Sequence, residues 1–191
     1  MPKRILVVVV LVLVFSCPVY SADDSPPVGR PVRVVSLSFA GVATEAVFGI
    51  VEREAAQGCD LLTLPEIWSG NTPEMLDGPT VKRMGELARK YNTYIVCPIY
   101  RSDGPAVYNS AVLLDREGKV ACVYDKMYPY WEEWNTHANL RPGREAVVYE
   151  ADFGKIGLAI CFDANFPEVW RQLADKGAEL VIWPSAYSAG T

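Results

Sequence analysis

Along most of the chain, hydrophobic positions fall into two rhythms: dense apolar runs of strand length, and stripes spaced three or four residues apart. Residues 32–39 (VRVVSLSF) alternate as a first strand. Thr44 stands where it can cap a helix whose apolar face uses Val47, Ile50, Val51 and Ala55, with Gly58 closing it. Residues 59–66 (CDLLTLPE) read as a buried strand ending at Pro65 and Glu66. Pro79 then opens a second helix with Val81, Met84, Leu87, Ala88 and Tyr91 on its inner side, and residues 94–100 supply another strand.

This alternation of strand and helix predicts an α/β layered sheet. From Tyr108 the rhythm changes, and YNSAVLLDREGKVACVYDK reads as a hairpin turning at residues 115–118 and finishing at Lys126. Residues 146–149 and 156–160 form a second hairpin around 152–154. The apolar run stops abruptly at Cys161. Asp163, Ala164 and Asn165 turn the chain, and Pro167 opens a helix carrying Val169, Trp170, Leu173 and Ala174 that ends at Gly177. AELVIWPSAY supplies a last strand.

Composition narrows the picture. The chain has 191 residues, 50% of them hydrophobic, and a formal charge of −5. That fits one globular domain, placed at residues 32–191, and offers no basic face for nucleic acid. With 1 histidine, a triad or dyad built on imidazole would have to use His137, and a zinc site of several histidines is excluded. His137 lies in a polar stretch that reads as a solvated loop.

At the N-terminus, Lys3 and Arg4 precede an apolar run over residues 5–15, and Val19, Tyr20 and Ser21 suit a cleavage site. Residues 1–21 therefore read as a signal peptide and 22–31 as a linker rich in Pro, Asp and Ser. The alternative is a lipobox, Val14-Phe15-Ser16-Cys17, with Cys17 becoming a lipidated terminus. Either route predicts a secreted or periplasmic protein. Export raises the question of disulfides, but the spacing of Cys59, Cys97 and Cys122 suggests no framework, and they read as core packing.

Three strand-end positions carry chemistry: Glu66, Lys126 and Cys161. A thiolate attacks a carbonyl or nitrile carbon, a carboxylate takes the thiol proton and later activates water, and an ammonium steadies the oxyanion. Such a set needs no imidazole, which suits a chain almost without one.

Together LLTLPE, YNSAVLLDREGKVACVYDK and GLAICFDANFPE resemble the nitrilase, or carbon–nitrogen hydrolase, superfamily. The resemblance implies an αββα four-layer sandwich, with Glu66 as general base, Lys126 as oxyanion stabiliser, Cys161 as nucleophile and the Phe162 backbone N–H as a second oxyanion donor. It also implies a supporting glutamate, assigned to Glu133 with adjacent Glu132 as the alternative. No metal or organic cofactor is implied. The expected partner is a small-molecule amide or carbamoyl substrate, and the expected assembly a homodimer or larger.

Two departures matter: Asn165 stands where an arginine is common, and the family continues beyond PSAYSAGT. The chain therefore reads as truncated at its C-terminus, with marginal stability and poor activity expected of these residues alone. Cys161-Phe162-Asp163 resembles amidases and carbamoylases, whereas Lys126-Met127-Tyr128-Pro129 with Glu133 has a nitrilase character. The expected reaction is amide hydrolysis through a thioester. A nitrilase, an N-acyltransferase and a non-catalytic binding module on the same fold are the alternatives. Trp131, Trp134 and Tyr187 are candidate pocket residues.

Overall fold

The computed structural model describes residues 30–39 and 41–186. The signal segment, Cys17, most of the linker and Tyr187 lie outside the described residues. Two sheets form its centre. The larger has the order β1(Val34–Ser36)–β2(Leu61–Thr63)–β3(Tyr94–Asp103)–β4(Ala106–Leu114)–β5(Val120–Asp125), and the smaller β6(Val147–Ala151)–β7(Gly154–Leu158)–β8(Leu180–Ile182). β1, β2 and β3 run parallel, while β3–β4 and β4–β5 are antiparallel. β5 consequently points the same way as β2, which delivers Glu66 and Lys126 to one edge of the sheet.

Period-two alternation sorts the strand residues into layers. Leu62, Ile95, Cys97, Val112 and Leu114 pack with Val47, Val51, Val81, Met84 and Ala88 of helices α1(Thr44–Ala55) and α2(Pro79–Tyr91). Their neighbours Leu61, Val96 and Leu113 face the other way and meet Ile156, Leu158, Ile160 and Ile182 between the two sheets. On the far side of the small sheet, Ala159 packs with Val169 and Leu173 of α4(Pro167–Asp175). The order of layers is helix, sheet, sheet, helix, as expected.

The elements depart from the sequence reading in several places, and β2 and β8 are both shorter than the apolar runs that contain them. The first strand shrinks to Val34–Ser36 because its partner β2 offers only three pairing residues. Thr44 is the first helical residue rather than the cap, and the cap residue Ala43 makes no side-chain bond to the helix. β3 and β4 form a long hairpin of their own turning at Gly104 (φ 56), a junction the pattern did not reveal. The stretch read as a loop contains a short helix, α3(Trp131–Thr136), and His137 behind it packs its ring 4.3 Å from that of Tyr100.

Cys97 is fully buried and Cys59 nearly so, while Cys122 is half-buried against the inter-sheet core. All three are free thiols, as is Cys161.

Candidate active site

Glu66 follows β2 by a three-residue exit, Lys126 directly follows β5, and Cys161 follows β7. The fold brings the three together, although they are scattered along the chain. Lys126 Nζ donates to Glu66 Oε1 at 2.8 Å and, closely, to Glu133 Oε1. Glu66, Lys126 and Glu133 are 4%, 1% and 5% exposed, so this is a desolvated cluster rather than a surface ion pair.

Between the two candidate supporting acids the structure discriminates plainly: Glu133 points into the cluster and Glu132 is exposed. The reason is helical geometry. Glu133 is the third residue of α3, and its carboxylate reaches back to the Tyr130 N–H at 2.8 Å, a capping contact that fixes both the helix start and the side chain.

Lys126 is held in its ionised form. Burial works against the ammonium, but the Glu66 and Glu133 carboxylates outweigh it and raise the pKa above the ordinary lysine value. An ammonium has three donors, and two of Lys126's are occupied among the described residues. The backbone around it is anchored too. Its N–H donates to the Asn109 C=O at 2.8 Å, and its C=O accepts from Gly143 N–H at 2.8 Å. The preceding Asp125 pairs with Arg101 at 2.8 Å and accepts from Ser110 Oγ at 2.6 Å.

Cys161 opens a 3-10 turn, Cys161–Asn165, with φ 41, a left-handed conformation unusual for a side chain with a Cβ. Three contacts hold it there. Its N–H donates to Pro184 C=O at 2.9 Å, and its C=O accepts from Trp183 Nε1 at 2.9 Å. Asp163, completely buried, accepts from the Ile160 N–H at 2.8 Å, the Tyr124 hydroxyl at 2.7 Å and the Tyr128 N–H at 3.0 Å. That one carboxylate ties the turn carrying Cys161 to the strand end carrying Lys126. Asn165, where the resemblance favours arginine, donates to Phe162 C=O at 3.1 Å within the turn.

Burial pushes the Cys161 thiol up to about 11; the Glu66 carboxylate beside it adds to the effect and Lys126 opposes it. The resting group is therefore a thiol with a hydrogen-bonding carboxylate next to it. Residues 183–186 stitch the two together, since Ala186 N–H donates to Glu66 Oε2 at 3.0 Å while also facing the Cys161 sulfur.

Beside Glu66 lies a cavity of about 510 Å³, bounded by Ser38, Phe39, Val42, Ile67, Trp68 and Ser185 among others. At another edge of the cluster, Phe162 packs edge-on to Tyr130 at 5.1 Å and Phe166 stacks on Tyr128 at 3.7 Å. The candidate pocket residues Trp131 and Trp134 are largely exposed, at 59% and 43%. Among the described residues no group of His, Cys, Asp and Glu is arranged to hold a metal ion.

The residue that the sequence did not single out is Asn109. It is 3% exposed, and its Nδ2 donates to Glu66 Oε1 and to Glu133 Oε2, each at 2.8 Å. The available signal was a polar pair, Asn109-Ser110, in the middle of an otherwise apolar strand.

An α/β protein whose two facing sheets bring an acid, an amine and a thiol together at strand ends defines a narrow class. The chain belongs to the carbon–nitrogen hydrolase family, whose profile matches residues 35–190. It is 35% identical over 112 residues to citrullinase of Francisella tularensis subsp. tularensis, covering 58% of this chain and 39% of that one. With deaminated glutathione amidase of Synechocystis sp. it shares 30% identity over 167 residues, covering 74% of this chain and 60% of the relative. The chain thus spans less than two thirds of the length of these curated relatives. Among solved structures, an amidase mutant from Nesterenkonia sp. AN1 with the acetamide moiety of fluoroacetamide added covalently to its active-site cysteine matches with a TM-score of 0.66. That match has 25% identity, covering 76% of this chain and 59% of that one.

Proposed function

We propose that the protein hydrolyses a carbon–nitrogen bond of a small amide or carbamoyl compound through a thioester on Cys161. The observation that carries this reading is the Cys161 thiol lying against the Glu66 carboxylate, whose Oε1 is held by the Lys126 ammonium. A carboxylate within reach of a protonated thiol supplies what attack requires: the base need act only as the sulfur bonds to carbon.

In the first step Cys161 Sγ bonds to the carbonyl carbon while its proton passes to Glu66, and the carbonyl oxygen becomes an oxyanion. The remaining donor of Lys126 and the Phe162 N–H stabilise that charge in a site with little water to screen it. On collapse, the carbon–nitrogen bond breaks and the Glu66 proton leaves with ammonia or an amine. Water then gives a proton to Glu66 and its oxygen to the thioester carbon, and the carboxylic acid departs as Cys161 regains its proton. Glu133 keeps Lys126 charged and in place throughout. The amidase-type relatives and the Cys161-Phe162-Asp163 sequence support an amide over a nitrile.

Intact-protein mass spectrometry with a panel of amides and N-carbamoyl compounds tests the reading. A substrate-dependent acyl adduct, absent from Cys161→Ser, is the expected result, with ammonia or amine release from the amide and not from the matching nitrile. Neither adduct nor release across the panel overturns it in favour of a binding module on the same fold.

A further inference from the structure

We propose that Asn109 is the positioning residue of this site: its side-chain amide, shared between Glu66 and Glu133, holds the two carboxylates in register and leaves Glu66 Oε2 as the oxygen offered to Cys161. The inference rests on Glu66 acting as the base of the proposed reaction.

Two carboxylates face one ammonium, leaving an excess negative charge in a site where each group is at least nine-tenths buried. A second cation would cancel the excess but would also compete with Lys126 for the glutamates. An amide supplies two donors and no charge. The atom between the two carboxylates must be the amide nitrogen, because carboxylate oxygens only accept, and at 2.8 Å to each it spends both its hydrogens there.

The same bonds set direction. Glu66 Oε1 receives Lys126 and Asn109 together, which locks the plane of the carboxylate. Oε2 accepts from Ala186 N–H, the amide that also faces the Cys161 sulfur. Asn109 itself is rigid. It sits in β4 opposite Tyr100 of β3, and its own carbonyl accepts the Lys126 N–H, so one residue sets the backbone of the lysine and the side chains of both acids.

The ionisable groups around this pair of acids come from every neighbouring element. They are Lys126 after β5, Cys161 in its turn, Tyr100 from β3, and His137 at the end of α3. Burial holds Tyr100 protonated and His137 neutral, so Lys126 is the one cation among them at neutral pH. Asn109 is thus the neutral group that makes up the shortfall.

In Asn109→Ala the rate of Cys161 acylation is expected to fall about tenfold or more with KM little changed, because the base is no longer held at the sulfur. Asn109→Ser, which keeps one hydroxyl donor and serves if the alanine variant does not fold, is expected to recover part of the loss. Alkylation of Cys161 by iodoacetamide across pH is a second readout, and its midpoint is expected to move away from the wild-type value once the Glu66 carboxylate is free to turn. An unmoved alkylation midpoint in a folded Asn109→Ala variant overturns the inference. Alkylation reads Asn109 even if no amide is hydrolysed, a result that would instead sink the proposed reaction.

Discussion

The hydroxyl of Tyr124 donates to Asp163 Oδ2 at 2.7 Å, and both residues are completely buried. Through this bond the end of the strand before Lys126 is fastened to the turn that carries Cys161. Asp163 also accepts two backbone N–H groups, from Ile160 and Tyr128, so both of its oxygens are committed to donors. An asparagine there would turn an NH2 group toward an N–H. Asp163→Asn is therefore expected to cost about 1–3 kcal/mol, the penalty of an unpaired buried donor. Tyr124→Phe, which removes a donor but leaves Asp163 its two amides, should cost less. Denaturant melts of the two variants check the order.

Asp163 also has a pH signature. Burial raises its pKa above the ordinary aspartate value of 3.8, against the pull of its three donors. The folded state then holds this proton more tightly than the unfolded chain does. Its contribution to stability is present below pH 3.8 and is lost as pH rises through the higher folded value. Asp163→Asn removes the titration, so the difference in stability between wild type and variant is expected to change across that window and be flat above it. Melts at stepped acidic pH measure it.

The sulfur and the base should respond in opposite senses when Glu66 is neutralised. Burial, and after it the Glu66 charge, pushes the Cys161 thiol up to about 11, so alkylation by iodoacetamide is expected to be slow at neutral pH and to accelerate toward that value. Glu66→Gln removes the repelling charge and is expected to bring the alkylation midpoint down. The same variant loses the base and is expected to lose amide turnover by about 100-fold or more. Peptide mass spectrometry separates Cys161 from the other thiols, and a midpoint that stays put or rises in Glu66→Gln would show that the carboxylate does not reach the sulfur.

Much of this arrangement was legible from residue order. Pro79 and Pro167 marked helix starts correctly because a missing N–H is tolerated there, and the residues ending β2, β5 and β7 announced a shared rim. What the pattern hid depends on tertiary contacts. α3 is too short to display a period, and its Glu133 is held by Lys126 as well as by its own helix start. Asn109 reads as one polar residue in a strand until the fold places it against acids 43 and 24 positions away. His137 looked solvated because its neighbours in sequence are polar, whereas its neighbour in space is the ring of Tyr100.

The ion pair behind Lys126 is expected to matter for stability and for activity. Arg101 binds Asp125 and lies 4.5 Å from the Tyr108 ring, with only 11% of its side chain exposed. Asp125 retains 24% exposure, so truncation to Arg101→Met is expected to cost about 1–3 kcal/mol, below the full penalty for a charge stranded in the interior. Because Asp125 adjoins Lys126, kcat should fall in the folded variant as well, and added salt should not restore it. Thermal melts and steady-state kinetics on Arg101→Met check both.

Two glycines separate close packing from backbone entropy. A Cβ on Gly143 would overlap the carbonyl oxygen of Asp125, and the Gly143 N–H already bonds the Lys126 carbonyl. Gly143→Ala must push these stretches of chain apart, moving Lys126 relative to its glutamates, and about 1–3 kcal/mol of stability should go with it. Gly49 lies exposed within α1, and a methyl group added there would meet nothing within 4 Å. At that position alanine restricts the unfolded chain without touching a neighbour, so Gly49→Ala is expected to stabilise the protein by about 0.5–1 kcal/mol. Thermal melts should move in opposite directions for the two variants, and only Gly143→Ala should slow acylation of Cys161.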